Sequence, residues 1–206
     1  MTKKYLDFKF SEFTTNKSFN FSRKRILKVL PAKDLIDAHK LISNWKGYKK
    51  TPLVNLEILS KKIGTNKIFY KDESKRFNLK SFKALGGAYA VEKIVKNKKN
   101  IIVSTATAGN HGKSVSWGAN KIGVKCKIFI SKNVSNTRSF EMEKLGAEVI
   151  RVKGNYERSL KVCKEVSHKN GWKIIQDVAW KNYEKVPRLT MAGYSVMIKE
   201  ISGQTK

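Results

Sequence analysis

Residues 101–130, IIVSTATAGNHGKSVSWGANKIGVKCKIFI, hold two short apolar runs separated by a small-residue loop and a helical segment. Ile101 to Ser104 predicts a strand, Asn110 to Ile122 predicts a helix, and Lys125 to Ile130 predicts a second strand. Strands that alternate with helices in this way usually pair in parallel through right-handed crossovers. This stretch therefore predicts an α/β fold built on a mostly parallel sheet.

The same alternation continues on both sides of this stretch. The further predicted elements are a helix at Lys33 to Trp45, an extended segment at Thr51 to Val54, a helix at Leu56 to Ile63, a strand at Lys67 to Lys71, helices at Phe82 to Lys96 and Ser135 to Leu145, a strand at Glu148 to Val152, a helix at Tyr156 to Asn170, a strand at Trp172 to Gln176 and a last helix around Pro187 to Met197. Such a topology fits many binding folds, so function has to be argued from a site.

Two segments carry residues suited to chemistry. Lys83 stands in Ser81-Phe82-Lys83-Ala84-Leu85-Gly86-Gly87, at the head of a predicted helix, and the loop Thr105 to Gly112 follows a predicted strand. A Schiff base needs a primary amine that can lose its proton, as Lys does once it is desolvated or near other positive charge. The loop can approach a ligand closely, and a helix starting near Asn110 points N–H groups at a carboxylate. Together they predict a pyridoxal-phosphate site.

Each of these side chains also has a purely structural interpretation. His111 can close the turn, Asn110 can cap the following helix, and the hydroxyl of Thr107 can stabilise its own loop. Asp177 can cap the segment after the last predicted strand, although an acid at a strand end also lies where ligands bind. The residues alone leave these alternatives open.

The motifs resemble a known enzyme family. Ser81-Phe82-Lys83 followed by Ala108-Gly109-Asn110-His111 is similar to the second structural family of pyridoxal-phosphate enzymes, the tryptophan synthase beta-like family. Lys71 to Phe77 and Ile175 to Trp180 extend the similarity towards its diaminopropionate ammonia-lyases. The resemblance implies an α/β parallel-sheet sandwich of the tryptophan synthase beta-like type, with pyridoxal 5'-phosphate as its cofactor.

The resemblance also implies roles for individual residues. Lys83 binds the cofactor as a Schiff base, and Asn110 hydrogen-bonds the 3-hydroxyl of the cofactor ring. Lys83 and Asp177 are the implied catalytic residues, with Asp177 near the amino groups of the substrate. The substrate carboxylate is received by the loop residues Thr107, Ala108, Gly109 and His111.

The implied activity is β-elimination of ammonia from 2,3-diaminopropionate, giving pyruvate and ammonia. A threonine or serine dehydratase-like lyase and a catalytically incompetent fragment are the alternatives. Ala108 favours the first alternative, because the ammonia-lyases usually carry an aspartate there, and it puts use of a D-isomer in doubt.

A second departure concerns the cofactor phosphate. The family binds this phosphate in a glycine-rich loop, whereas every glycine after Asn110 is isolated, from Gly112 to Gly203. We therefore expect an N-terminal portion of such an enzyme, with the later part of the large domain missing. The expected division is an N-terminal extension (1–50), the first part of the large cofactor-binding domain (51–85), a small α/β substrate domain (86–180) and a return segment to the large domain (181–206).

The composition narrows the choice of partners. The net charge is +28, but only seven of the 44 basic residues are Arg and the lysines are spread along the chain, which favours a solvated surface over a nucleic-acid site. Cys126 and Cys163 lack the spacing of a metal site or a disulfide framework, and no segment is apolar enough to span a membrane. We expect a cytoplasmic protein that acts on a small amino acid, with a homodimer for the complete enzyme.

Overall fold

The computed structural model of the chain describes residues 18, 22–96, 98 and 100–205. The helices are α1 (Arg23–Val29), α2 (Ala32–Ser43), α3 (Glu57–Lys62), α4 (Lys83–Val95), α5 (Asn110–Lys121), α6 (Asn136–Glu143), α7 (Tyr156–Lys169) and α8 (Lys185–Gln204). The strands are β1 (Leu53–Asn55), β2 (Phe69–Lys71), β3 (Ile102–Ala106), β4 (Lys125–Ser131), β5 (Ala147–Val152) and β6 (Lys173–Ile174). Glu73–Asn78 contains short 3₁₀ turns that are interrupted by non-helical backbone at Arg76 and Phe77. Residues 1–17 and 19–21 of the expected N-terminal extension lie outside the described residues.

The four strands β5, β4, β3 and β6 form one sheet in that order, and all of its pairs are parallel. Neighbouring side chains of β4 point to opposite faces: Ile128 packs in the same cluster as Val115 of α5, and Phe129 in the same cluster as Cys163 of α7. Both faces of the sheet are thus covered by helices, as a parallel sheet requires. The predicted α/β class is confirmed.

Two details of the sheets differ from the prediction. The predicted strand Trp172 to Gln176 is shorter in the structure, where β6 covers Lys173–Ile174. The Ile175 N–H still donates to the Ser104 carbonyl oxygen, but the Gln176 N–H turns to the Tyr183 hydroxyl. The Gln176 amide oxygen accepts hydrogen bonds from the Thr105 hydroxyl (2.7 Å) and the Ala106 N–H (3.2 Å). In addition, β1 and β2 form a separate antiparallel pair, so the parallel arrangement does not extend to them.

The segment before Thr51 contributes to the core. Ala38, Ile42 and Trp45 are buried in one cluster with Tyr89 of α4 and Val196 of α8. The indole N–H of Trp45 donates to a carboxylate oxygen of Glu92 at 2.9 Å. The proposed division into domains stays a prediction, but α2 shares its apolar face with α4 and α8.

Helix α8 packs closely on α4, because glycines leave room for the two backbones at the point where the helices cross. A Cβ added to Gly193 would lie 2.3 Å from the carbonyl oxygen of Leu85, and one added to Gly86 would lie 2.3 Å from the Tyr194 ring and 2.7 Å from the Thr190 carbonyl oxygen. Because backbone atoms are among these neighbours, no side chain can move aside to make room. The crossing fixes the position of Tyr194 relative to the start of α4.

Replacing Gly193 by Ala should therefore lower the free energy of unfolding by about 1–3 kcal/mol, the usual cost of overpacking. Gly203 is a matched control in the same helix, since an added Cβ there has nothing within 4 Å. Gly203→Ala should instead stabilise the chain slightly, by up to about 1 kcal/mol, because Ala is the better helix former. Urea unfolding of both variants measures the difference. Equal effects of the two substitutions would show that the close crossing is wrong.

A buried group of charges joins the end of α8 to the segment before α4. Arg76 donates to Glu200 (2.7 Å) and to Glu73 (2.8 Å), and Lys71 lies 2.8 Å from Glu200. The side chains of Arg76 and Glu200 are each only 1% exposed. Burial would raise the pKa of Glu200, but the hydrogen bonds from Arg76 and Lys71 outweigh it and lower this pKa to about 2. Thr51 also belongs to the group, through hydrogen bonds to Glu200 and Arg76.

In the described part of the chain, no helix has both the length and the apolar character needed to cross a membrane.

Candidate active site

The side chains of Lys83 and Asp177 meet at the carboxyl-terminal edge of the parallel sheet. Lys83 is the first residue of α4, and Asp177 follows β6 by three positions. The Lys83 Nζ lies 3.0 Å from Asp177 Oδ2, and the two side chains are 31% and 21% exposed. The pair is thus partly buried, and its polar atoms remain accessible to solvent. Ligands of open α/β folds bind at this edge.

His111 lies behind this ion pair and is almost fully buried. Its Nε2 is 2.9 Å from the carbonyl oxygen of Ile175, which can only accept a hydrogen bond, so we assign the proton to Nε2. Its Nδ1 is 3.7 Å from Asp177 Oδ2 and has no hydrogen-bond partner among the described atoms. Burial lowers the pKa of His111, and the nearby Asp177 charge does not fully offset this effect. The imidazole is therefore neutral near neutral pH and presents Nδ1 as an acceptor.

Lys83 and Asp177 keep each other ionised. Burial alone would lower the pKa of Lys83, but the hydrogen bond from its ammonium to Asp177 raises it above 10.5. Burial alone would raise the pKa of Asp177, and its cationic surroundings lower it below 3.8. Because His111 is neutral, we assign most of this lowering to the Lys83 ammonium. The pair stabilises the fold above pH 3.8 and below pH 10.5, and this contribution is lost as the pH passes beyond the folded-state pKa of either group.

This geometry corrects one premise of the sequence argument. Desolvation was expected to release the proton of Lys83, yet the Asp177 carboxylate holds that proton in place. The amine can become a nucleophile only when the ion pair is broken or the proton passes to another group. A ligand ammonium that takes the place of Lys83 beside Asp177 would do this.

Asp177→Asn should lower the pKa of the Lys83 amine, because burial continues to disfavour the ammonium while the carboxylate that favours it is gone. The rate at which an amine-specific reagent labels Lys83, followed by peptide mass spectrometry across pH 7 to 10, should rise in this variant. Glu165→Gln is the control, since Glu165 pairs with Lys161 at 4.0 Å on an exposed face of α7. An unchanged labelling profile of Lys83 in Asp177→Asn would contradict the assigned coupling.

The loop between β3 and α5 is more exposed at Gly109 and Asn110 than the Lys83–Asp177 pair. The Thr107 hydroxyl accepts a hydrogen bond from the Gly109 N–H at 3.3 Å, which supports its structural interpretation. The N-cap of α5 is Gly109, so the interpretation of Asn110 as the helix cap is wrong. Asn110 is exposed, and its side-chain amide makes no hydrogen bond to any described residue. Its predicted contact with a cofactor stays a prediction.

Ala108, Gly109 and Asn110 line a cleft of about 280 Å³ together with residues of α6, among them Arg138. Lys83 and Asp177 do not line this cleft. The structure therefore places Lys83, His111 and Asp177 together. Of the predicted carboxylate-binding residues, His111 lies with this group, whereas Ala108 and Gly109 line the cleft.

Two residues near Lys83 had no role assigned from sequence. The Ser114 hydroxyl donates to the Lys83 carbonyl oxygen at 2.7 Å and accepts from the Ala88 N–H at 3.0 Å, which ties α5 to the first turn of α4. The Tyr194 ring lies 5.3 Å from Lys83 Nζ, and its buried hydroxyl has no hydrogen-bond partner in the described chain. In the sequence, Gly193 precedes Tyr194 within the predicted last helix, and a glycine there is a sign of close helix packing. Only the helix crossing directs that ring to Lys83.

A half-buried lysine at a helix start, an acid at a strand end and a small-residue loop lie together at one edge of the parallel sheet. This arrangement suits an enzyme that holds a carbonyl cofactor on lysine. Residues 45–206 match the sequence profile of the pyridoxal-phosphate dependent enzymes. The chain belongs to this family. The prediction of family and cofactor is confirmed.

Individual relatives agree with the family assignment. Diaminopropionate ammonia-lyase of Escherichia coli K12 is 34% identical over 213 residues, covering 95% of this chain and 53% of that protein. The biosynthetic L-threonine dehydratase of Lactococcus lactis is 28% identical over 181 residues, covering 86% of this chain and 41% of that protein. The crystal structure of the E. coli ammonia-lyase with an aminoacrylate-PLP azomethine reaction intermediate superposes with a TM-score of 0.84 at 33% identity, over 93% of this chain and 52% of that one. The chain spans about half the length of the curated relatives it matches.

The described residues fit one end of pyridoxal phosphate. Lys83 offers a reachable amine, and the free acceptor on His111 and the orphaned hydroxyl of Tyr194 are polar groups available beside it. Among the described residues, we find no comparable group of donors for the phosphate of the cofactor. The adjacent glycines Gly86 and Gly87 are occupied by helix contacts to Tyr194 and Ser114, so they cannot form a phosphate loop.

Proposed function

We propose that this chain supplies the lysine-bearing half of a lyase that eliminates ammonia from L-2,3-diaminopropionate, giving pyruvate and two molecules of ammonia after hydrolysis. The observation that carries the proposal is the 3.0 Å pair between Lys83 Nζ and Asp177 Oδ2 at the edge of the sheet. The identity to diaminopropionate ammonia-lyase supports the choice of substrate.

Each residue then has a defined task. The amine of Lys83 holds the cofactor and afterwards accepts the α-proton, while Asp177 binds the β-ammonium group that leaves. The loop Thr107 to His111 receives the substrate carboxylate, and Asn110 binds the ring hydroxyl of the cofactor. Pyridoxal phosphate, when bound, supplies the electron sink for the carbon from which the proton is removed. Asp177 is suited to an ammonium ligand, because it already holds the ammonium of Lys83 at 3.0 Å.

A dehydratase acting on threonine or serine is the second candidate. Ala108 favours it, since Ala at this position is the dehydratase pattern, and the L. lactis threonine dehydratase is among the relatives. A threonine substrate carries a hydroxyl in place of the β-ammonium. The charge of Asp177 would then have no leaving ammonium to bind, which is why diaminopropionate comes first.

The purified chain, supplied with pyridoxal phosphate, should release more keto acid from L-2,3-diaminopropionate than from L-threonine, L-serine or D-2,3-diaminopropionate. Pyruvate and 2-oxobutyrate are measured with a coupled reductase, and Asp177→Asn should lose turnover of diaminopropionate most. Faster turnover of threonine would favour the dehydratase. A folded chain that binds the cofactor through Lys83 but converts none of the four would support the incompetent fragment.

We also propose a cytoplasmic location, a homodimer for the complete enzyme, and no nucleic-acid partner. Cys126 and Cys163 are free and buried, which suits a reducing compartment. The basic residues are mostly Lys and are dispersed, so their charge supports solubility better than specific binding of a polyanion.

A further inference from the structure

A second pocket lies at the far end of α4 from Lys83. It has a volume of about 650 Å³ and is bordered by the last turn of α4, the first turn of α8 and the start of α2. Lys93, which lines it, is ten residues beyond Lys83 on α4, so the two sites are about 15 Å apart along the helix. Its size is that of pockets that take small metabolites.

The pocket has an excess of positive charge. Its wall contains four cationic side chains and two carboxylates: Lys93, Lys96, Lys185, Arg188, Asp34 and Glu184. The ion pairs found within the described residues include none of these six. The cations are therefore close enough to share one pocket, yet no carboxylate of the described residues lies within 4.0 Å of their charged atoms. The net charge of the wall is +2.

Arg188 gives this pocket a directed donor. Its Nε–H is buried and has no hydrogen-bond partner in the described chain. Leaving a buried donor of a charged group unsatisfied is costly, so such a group normally has a partner. A guanidinium binds carboxylates and phosphates with two parallel hydrogen bonds, one of which can come from Nε–H. An anionic oxygen of a ligand would satisfy this donor and pair with the guanidinium charge.

We propose that this pocket, defined by Lys93, Lys96, Lys185 and Arg188, binds a small metabolite that carries a phosphate group or carboxylate groups. Arg188 contacts the anionic group and the three lysines balance its charge. Asp34 and Glu184 face the remainder of the ligand, where they can accept hydrogen bonds from hydroxyl or amino groups. The site is independent of the function proposed for Lys83, because the two share no residue.

Calorimetric titration of the chain with inorganic phosphate and, separately, with citrate tests the site at constant ionic strength in a buffer without either anion. We expect Arg188→Gln to weaken binding at least about tenfold. Arg158→Gln is the matched control: Arg158 is exposed on α7, outside the pocket, and the net charge changes equally. It should change the affinity by less than about twofold.

Two further variants keep the test decisive if Arg188→Gln folds poorly. Glu184→Gln should tighten the binding of phosphate, because it removes a repelling carboxylate from the wall, and Lys185→Gln should weaken it; both residues are exposed. Binding of phosphate alone would identify a phosphate ligand, and binding of citrate alone a carboxylate ligand. Equal effects of the Arg188 and Arg158 substitutions, or no saturable binding of either probe, would overturn the proposal.

Discussion

Lys83→Ala is expected to abolish the covalent attachment of pyridoxal phosphate to this chain. The substitution removes the amine that lies 3.0 Å from Asp177 at the edge of the sheet. No other group can replace a primary amine in a Schiff base. The visible absorbance band of the protein-bound imine should be absent from the variant, so the effect is complete rather than graded. Absorbance spectra of the chain titrated with the cofactor measure it.

The fold should survive this substitution. The Lys83 side chain is 31% exposed, and α4 is held by Ala84, Leu85 and Ala88, all of which are buried. Lys75→Ala is the control, because Lys75 is an exposed lysine in the segment before α4. It should leave the absorbance band unchanged. A band of equal strength in Lys83→Ala would mean that a different lysine binds the cofactor.

Glu200→Ala is expected to have the largest effect on stability. The variant leaves the 1% exposed guanidinium of Arg76 with only Glu73 as an acidic partner and removes the acid partner of Lys71. Breaking a buried ion pair by removing one side typically costs about 3–5 kcal/mol. For a chain of this size, that corresponds to a fall in Tm of roughly 6 to 20 °C. Calorimetric unfolding at pH 7 measures the change.

Glu148→Ala is the matched control, because Glu148 pairs with Lys127 at 2.6 Å while its own side chain is 62% exposed. Such a surface pair contributes about 0–1 kcal/mol. The pH dependence of the unfolding free energy further distinguishes the buried network around Glu200 from a surface ion pair. Since the pKa of Glu200 is lowered from 4.5 to about 2, wild-type stability should fall as the pH drops through this range, and Glu200→Gln should lose this part of the acid sensitivity. Equal losses in Glu200→Ala and Glu148→Ala would contradict the burial of the network.

Local sequence patterns predicted the elements around the sheet well. The predicted helix Asn110 to Ile122 is α5, and the predicted strand Lys125 to Ile130 is β4, each within one residue at its ends. These elements are long and have one clear periodicity, which is the signal that sequence retains best. The predicted strand after α7 is longer than β6, because the Gln176 N–H donates to the Tyr183 hydroxyl and only the Gln176 side chain bonds to β3.

Contacts between distant segments were not predictable in the same way. Arg76 and Glu200 are 124 residues apart, and no periodicity links them. Tyr194 reaches Lys83 only because Gly86 and Gly193 let two helices cross closely. The motifs drew attention to Lys83, His111 and Asp177, and the structure places these three side chains together; their predicted roles stay predictions. The motifs did not indicate that Asp177 keeps Lys83 protonated, since that depends on a distance between side chains.

The central claim is that Lys83, one of the 37 lysines of the chain, is the lysine that binds the cofactor. Borohydride reduction of the chain in the presence of pyridoxal phosphate, followed by proteolysis and mass spectrometry, identifies the modified lysine directly. We predict a single dominant modification on the peptide that contains Lys83, with the same peptide unmodified in Lys83→Ala. Modification spread over many exposed lysines, with the Lys83 peptide no more labelled than the others, would contradict the account.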